Sequence, residues 1–291
     1  AQWMKLFGVD IEQIDQLQIV TEAEKIPADE AARYAAWVKA NYGKLQYEEG
    51  KFSETHLDKM VRSYLAVKRL TARYGLDFTG IKCQPEMSNG YVLQCLTVQL
   101  LNDPYDADGT KNPFVCSCEA DCDGALTMQM LHLLSGGKPT ALQDIYYYDA
   151  GKLVLANCGA SASWFAKHAA DPDENLREVH LIPHGFGEAG GAATQFTFAP
   201  GEYTYARLFR KDGVYKLAIC RATADLLSRS ELAGYCWYRP TAVVRGVDAE
   251  IFSHLYGCNH LHCVAGDYTA ELAELAGLYG IECIRLDKTN G

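Results

Sequence analysis

The sequence predicts a mixed α/β protein, with a parallel-sheet α/β domain over residues 1–140 and a mostly antiparallel, barrel-like domain over 141–291. Three observations carry this. Up to about residue 140 the order reads helix, strand, helix, strand, helix, the pattern of a parallel sheet with crossover helices. Near residue 140 the chain changes to short strand-like runs divided by turn signals, as in a small barrel or sandwich. The last stretch returns to mixed structure, ending on a helix and a strand.

Each element has its own signal. Gly8–Val20 alternates loosely and reads as a strand and turn. Pro27 opens a helix that runs to about Tyr42 and stops at Gly43. Ser53 caps a second helix, whose apolar face is Leu57, Met60, Val61, Tyr64, Leu65, Val67 and Leu70, and Gly75 ends it. A short strand, Phe78–Cys83, leads through the turn-rich Pro85–Gly90 into an apolar helix, Tyr91–Leu101. After the Asp-rich loop Asn102–Pro113 comes a strand ending at VCSCEADCDG, then a helix over Ala125–Leu134. Ile145–Asp149 and Lys152–Ala156 flank Ala150-Gly151, a hairpin signal. Strands follow at Arg177–Ile182, Thr194–Phe198, Tyr203–Phe209 and Val214–Cys220. Asp248–Tyr256 reads as helical and Leu261–Ala265 as a strand. Asp267 caps the helix Ala270–Leu278, and Ile281–Leu286 closes the chain.

The totals bound the function. A chain of 291 residues is ample for a large core. Its formal net charge of −10 argues against nucleic acid or an anionic membrane as partner. No apolar run reaches the roughly 18 residues of a bilayer span, and no signal peptide is visible. Eleven cysteines, many in apolar runs, suit buried thiols in a reducing cytoplasm better than a disulfide framework. The chain opens Ala1-Gln2-Trp3, without an initiator Met, and the expectation is that an N-terminal portion has been removed.

The chemistry gathers at Val115–Gly124. A strand ends there where a helix begins, a junction that faces a crevice and favours anions. Glu119, Asp121 and Asp123 stand two apart and share one face if the strand continues that far. Crowded carboxylates are costly unless a cation sits among them. Asp123 is expected to cap the helix and Asp121 to hold a metal. Glu86, in Lys82-Cys83-Gln84-Pro85-Glu86, follows a strand into a loop. His260 and His262 alternate, and so share a strand face. A zinc site combining them with Cys116, Cys118 and Cys122 lacks the paired-thiol spacing. Gly185–Gly190 matches a dinucleotide fingerprint, but a strand follows it where a helix is required, so nicotinamide binding is rejected.

Pro113–Gly136 resembles the metal-ligand segment of the L-fucose isomerase and L-arabinose isomerase superfamily, a Glu-x-Asp turn followed by an apolar helix ending in Leu-[Thr/Ser]-Gly. Tyr256-Gly257-Cys258-Asn259-His260 is similar to the family's C-terminal Trp-Gly-x-Asn-His element. The two ends carry the resemblance; the barrel between them is matched in character only. The resemblance implies a divalent cation, usually manganese, held by a Glu, an Asp and a His. Asp121 matches the Asp and His260 the His. The fucose isomerase Glu position falls on Thr97, so the nearest preceding carboxylate in a suitable turn, Glu86, is assigned its role. Asn259 matches a substrate-contacting Asn, and Gln84 and Asn157 are the further candidates for substrate contact.

The expected function is therefore a cytoplasmic, metal-dependent aldose–ketose isomerase acting on a free monosaccharide through a cis-enediol. Glu86 and Asp121 act as ligands and acid/base groups, and His260 as a ligand. The resemblance also implies a homo-oligomer, a trimer or hexamer, and domains preceding this chain. The competing reading is a non-catalytic sugar-binding or assembly subunit with the isomerase fold. An isomerase for a sulfonated hexose is a third reading. It would need a cationic cluster, and the candidates Arg207 and Arg210 read more simply as solvated strand residues.

Overall fold

The computed structural model describes residues 2–149, 151–228, 230–231, 240–248, 252 and 256–287. The first half is mainly helical: α1 (Gln2–Phe7), α2 (Leu17–Ala23), α3 (Ala28–Asn41), α4 (Glu54–Tyr74), α5 (Glu86–Gly90), α6 (Cys95–Asn102) and α7 (Cys122–Leu134). Pro27 precedes α3 as its N-cap residue. Ser53 and His56 form a reciprocal cap on α4, and Gly75 ends that helix with a φ of 61°, a conformation glycine adopts without a Cβ penalty. The strand expected in Gly8–Val20 is absent: α2 occupies its end and buries Ile19 and Ala23. The loose alternation there is that of an exposed, irregular stretch.

The strands of this half are short: β1 (Lys44–Leu45), β2 (Thr79–Ile81), the pair β3 (Tyr105–Asp106) and β4 (Gly109–Thr110), and β5 (Cys116–Cys118). β2 and β5 pair in parallel, with Ile81 opposite Cys118. The parallel sheet of this half is thus one short ladder, and its carboxyl end delivers Glu119.

The second half is strand-rich: β6 (Ala141–Asp149), β7 (Lys152–Ala156), a 3₁₀ turn (Ser163–Ala166), α8 (Pro172–Leu176), β8 (His180–Pro183), β9 (Ala192–Gln195), β10 (Gly201–Lys211), β11 (Val214–Ala224), β12 (Thr241–Arg245), β13 (His260–Ala265), α9 (Thr269–Leu278) and β14 (Glu282–Arg285). Six strands close an antiparallel barrel in the order β10-β13-β6-β7-β12-β11, with β11 returning to β10; β14 joins β11 in parallel as an appendage. Closure leaves no open edge among the six. The strand β12, which the sequence reading did not mark, links β7 to β11. A smaller sheet, β1-β8-β9, joins strands from either side of residue 140. The expected helix over 248–256 falls largely outside the described residues.

One apolar core runs through both halves, from Tyr34, Met60 and Tyr64 to Tyr203, Tyr205 and Leu261. A second lies under α9 and α1, around Leu131, Leu217 and Leu272. Among the described residues no helix is long and apolar enough to cross a membrane. None of the ten described cysteines forms a disulfide.

Candidate functional site

The site forms where α7 meets the barrel. β5 ends at Cys118, and Glu119 and Ala120 follow in the left-handed region, with φ of 61° and 50°. Two such non-glycine residues in succession are costly, and strain of this kind clusters at functional sites. The kink ends the strand, so the three carboxylates do not share a strand face. Asp121, rather than Asp123, is the N-cap of α7 and accepts from the Gly124 amide at 2.9 Å. Asp123 is buried two residues on, bonded to Trp3 Nε1 (3.1 Å), the Tyr215 hydroxyl (3.0 Å) and Arg210 Nε (3.2 Å).

β13 faces this turn from the barrel. His260 Nδ1 meets Asp121 Oδ2 at 2.8 Å, and His262 Nε2 lies 3.8 Å from the same oxygen. Arg207, on β10, is paired with Asp121 as well. The guanidinium is buried, and its Nη1 is the group that reaches the carboxylate. Neither arginine of the suggested cationic cluster is therefore a simple solvated strand residue. Arg207 neutralises Asp121 in the interior, and the half-exposed Arg210 pairs with Asp123. Burial opposes the charge on Asp121, but His260 and Arg207 hold its carboxyl far below the usual carboxylate range. Asp121 thus takes donors from His260, Arg207 and the Gly124 amide, which favour its anionic form.

The other edge of His260 points at two further carboxylates. Its Nε2 lies 3.5 Å from Glu119 and 3.4 Å from Asp144 of β6, and has no hydrogen-bond partner. Glu119, Asp144 and His260 each offer one ligand atom within 4.8 Å of the others. Burial works against a charged His260, but Asp121, Asp144 and Glu119 push its pKa up to about 11. Burial raises that of Asp144. The neighbouring His262 is fully buried, and burial keeps it neutral.

These residues fit a divalent cation. An unpartnered, buried imidazole nitrogen facing two carboxylates calls for positive charge at that point, supplied by a proton or by a metal. Imidazole and carboxylate oxygen suit manganese and similar ions. The Nδ1 bond to Asp121 fixes the ring as metal-bound histidines are commonly fixed.

The structure thus brings Asp121 and His260 together and adds Glu119 and Asp144. Glu86 is not part of this group; at the exposed start of α5 it pairs with Lys82 Nζ at 2.8 Å. Gln84 lines a cavity of about 260 Å³ together with Lys82, Gln94, Glu119, Cys158 and His184. Asn157 is buried, and its Oδ1 accepts from the amides of Gly159 (3.0 Å) and Ala160 (2.6 Å). Asn259 is exposed, and its carbonyl accepts from the Ile145 amide at 2.8 Å. Asp144 carried no sequence signal, since it sits inside an ordinary hairpin strand. Its pairing with His260 across β6 and β13 is a matter of register.

Residues 155–224 match the model of the L-fucose isomerase, C-terminal domain family. The chain is 22% identical over 293 residues to a sulfoquinovose isomerase of Alkalicoccus urumqiensis, covering 97% of this chain and 59% of that protein. It is 23% identical over 289 residues to the sulfoquinovose isomerases of Priestia aryabhattai and Priestia megaterium, covering 94% of this chain and 57% of each. The chain therefore spans less than two thirds of the length of these relatives. The resemblance to the fucose isomerase family, read first from motifs at the two ends of the chain, is borne out by the barrel strands between them.

Proposed function

We propose that this chain carries the catalytic residues of a divalent-cation-dependent aldose–ketose isomerase acting on a monosaccharide through a cis-enediol. The observation that carries the reading is the buried, unpartnered Nε2 of His260 set against Glu119 and Asp144 beside a cavity. The similarity to sulfoquinovose isomerases supports the same reaction class.

In this reading Glu119, Asp144 and His260 hold the cation, and Asp121 is a positioning residue that fixes the His260 ring. When bound, a divalent cation supplies Lewis-acid polarisation of a carbonyl and its neighbouring hydroxyl. Glu119 lines the cavity and is half-exposed, so it can take a proton from one sugar carbon and return it to the next. Asp144, facing His260 Nε2 across the paired strands β6 and β13, is assigned to ligation alone. Asp121, held anionic by its partners, is a poor proton carrier. Glu86, the ion-pair partner of the cavity-lining Lys82, is assigned to substrate entry rather than ligation. Lys82 also lines the cavity and is the cation there that a sulfonated hexose would meet. A trimer or hexamer is part of the proposal, and analytical ultracentrifugation tests it.

The experiment is isomerisation of a panel of aldoses and ketoses, sulfoquinovose included, followed by NMR with manganese and then with a chelator. We expect interconversion that stops on chelation, with about one ion retained per chain. No retained ion and no turnover, in this chain and in any longer protein containing it, would support the non-catalytic sugar-binding or assembly subunit instead.

A further inference from the structure

A second cluster shares the cavity wall. Cys83, Cys95, Cys118, Cys158 and His184 all line it. The Sγ atoms of Cys118 and Cys158 are 3.4 Å apart. Cys95, Cys158 and His184 bring one ligand atom each within 4.8 Å of one another. Four thiols and one imidazole therefore surround a single space.

A soft cation is the first candidate, and the hydrogen bonding of His184 speaks against it. The Phe186 amide donates to His184 Nδ1 at 3.0 Å, so the neutral ring keeps its hydrogen on Nε2. In that tautomer Nε2 is a donor and offers no lone pair to a metal. A donor imidazole beside a pair of sulfurs in contact is instead the setting of a reactive thiol with a resolving partner.

We propose that Cys158 and Cys118 form a reversible, hydroperoxide-driven disulfide in the wall of the cavity. In the first step the sulfur of Cys158 attacks the O–O bond of the hydroperoxide. A sulfenic acid forms on Cys158 and an alcohol or water leaves. In the second step the Cys118 thiol attacks that sulfenic sulfur, the S–S bond forms and water leaves; the two thiols are oxidised and the hydroperoxide is reduced. A dithiol returns both residues to the reduced state.

The backbone on either side suits this. Cys158 sits in a turn pinned by the Asn157 carboxamide and by Thr194, whose amide and hydroxyl both bond the Gly159 carbonyl. Cys118 ends β5, directly before the left-handed Glu119. Bond formation draws the two sulfurs from 3.4 Å to about 2 Å. Because the Cys158 turn is anchored, the strand end bearing Glu119 takes up much of that movement. The thiol chemistry is independent of the function proposed above; its effect on turnover rests on that reading.

The test treats the reduced chain with hydrogen peroxide and maps its disulfides by peptide mass spectrometry. We expect a Cys118–Cys158 cross-link that dithiothreitol reverses. The exposed Cys122 reports general oxidation. In Cys118→Ser, Cys158 should be trapped as a sulfenic acid by dimedone. In Cys158→Ser the cross-link should vanish, and Cys158→Ala repeats this if the serine variant folds poorly. Oxidation confined to Cys122, or thiols shielded by zinc with no cross-link in its absence, would overturn the proposal. A cross-link without any change in sugar turnover would leave the thiol pair standing and count against the assignment of Glu119.

Discussion

His260 and Asp121 are 139 positions apart in sequence, and their side chains meet at 2.8 Å. The contact joins the start of α7 to the barrel strand β13. It fixes one imidazole nitrogen and leaves the other turned toward Glu119 and Asp144. In Asp121→Asn the ring loses its anionic anchor, and Arg207 loses its buried counter-charge. Manganese affinity should fall about 10–100-fold, as when other outer carboxylates behind metal-bound histidines are removed. Isothermal titration of the variant checks this; unchanged affinity would remove Asp121 from the positioning role.

An ion taken up at the proposed site would have to displace a proton. His260 holds its proton up to about pH 11 while the carboxylates surround it. Its folded pKa is raised, so the protonated form dominates through the neutral range and metal binding works against it. Manganese affinity should therefore rise with pH between about 6 and 9, with about one proton released per ion bound. Calorimetry in buffers of different ionisation enthalpy counts that proton. In His260→Gln the proton release should disappear along with most of the affinity.

Much of this centre was legible in the sequence, and the part that was not has a physical cause. The apolar helix and the histidine-bearing strand could each be read locally, because periodicity and alternation are local signals, whereas the Glu-x-Asp turn came from the family resemblance. Which carboxylate does which job was not local. Asp121 and Asp123 are both plausible caps by spacing, and the choice depends on Arg207 and Trp3, which come from distant segments. Asp144 joins the site only through the pairing of β6 with β13. Glu86 stands in the right kind of turn, but Lys82 four residues earlier captures it. The missed strand β12 is short and directly follows a segment of mixed character, so its place became clear only from its two neighbours in the closed barrel.

Gly124 is another point where the centre is tight. A Cβ there would stand 2.4 Å from His262 Nε2 and 2.5 Å from Asp121 Oδ2. Both neighbours are buried and fixed, so Gly124→Ala should push the histidine strand away from the cap. We expect a loss of about 1–3 kcal/mol in stability, the usual range for overpacking, with a larger proportional loss of manganese affinity. Urea denaturation and metal titration on the same preparation separate the two effects.

Arg207→Met keeps the bulk of the side chain and removes its charge. It leaves Asp121 buried with only the histidines and the Gly124 amide for company. Breaking a buried pair from one side costs about 3–5 kcal/mol in other proteins. The lower end is expected here because His260 also balances the charge. The double variant Arg207→Met with Asp121→Leu should regain part of the stability, since no unpaired charge then remains. Failure of the double variant to recover would count against the unpaired charge of Asp121 as the source of the loss.

The acid limit of stability should be set in part far from this centre, at His168. Its ring stacks on Trp164 with centroids 4.3 Å apart and shares a hydrogen bond of 2.9 Å with the Tyr203 hydroxyl. Burial, helped by Lys138, pushes its pKa down to about 4 from an ordinary 6.5. The folded value lies below the unfolded one, so the unfolded chain binds the extra proton first as pH falls. Stability from this residue is therefore complete above about pH 6.5 and is lost progressively down to about pH 4, a loss on the order of 2–3 kcal/mol. Asn tolerates the positive φ of 58° that His168 adopts and does not titrate there. His168→Asn should give a less stable protein at neutral pH whose stability curve is flatter between pH 6.5 and 4, measured by urea denaturation across that range. A variant with the same acid slope as the parent would place the acid sensitivity in other groups.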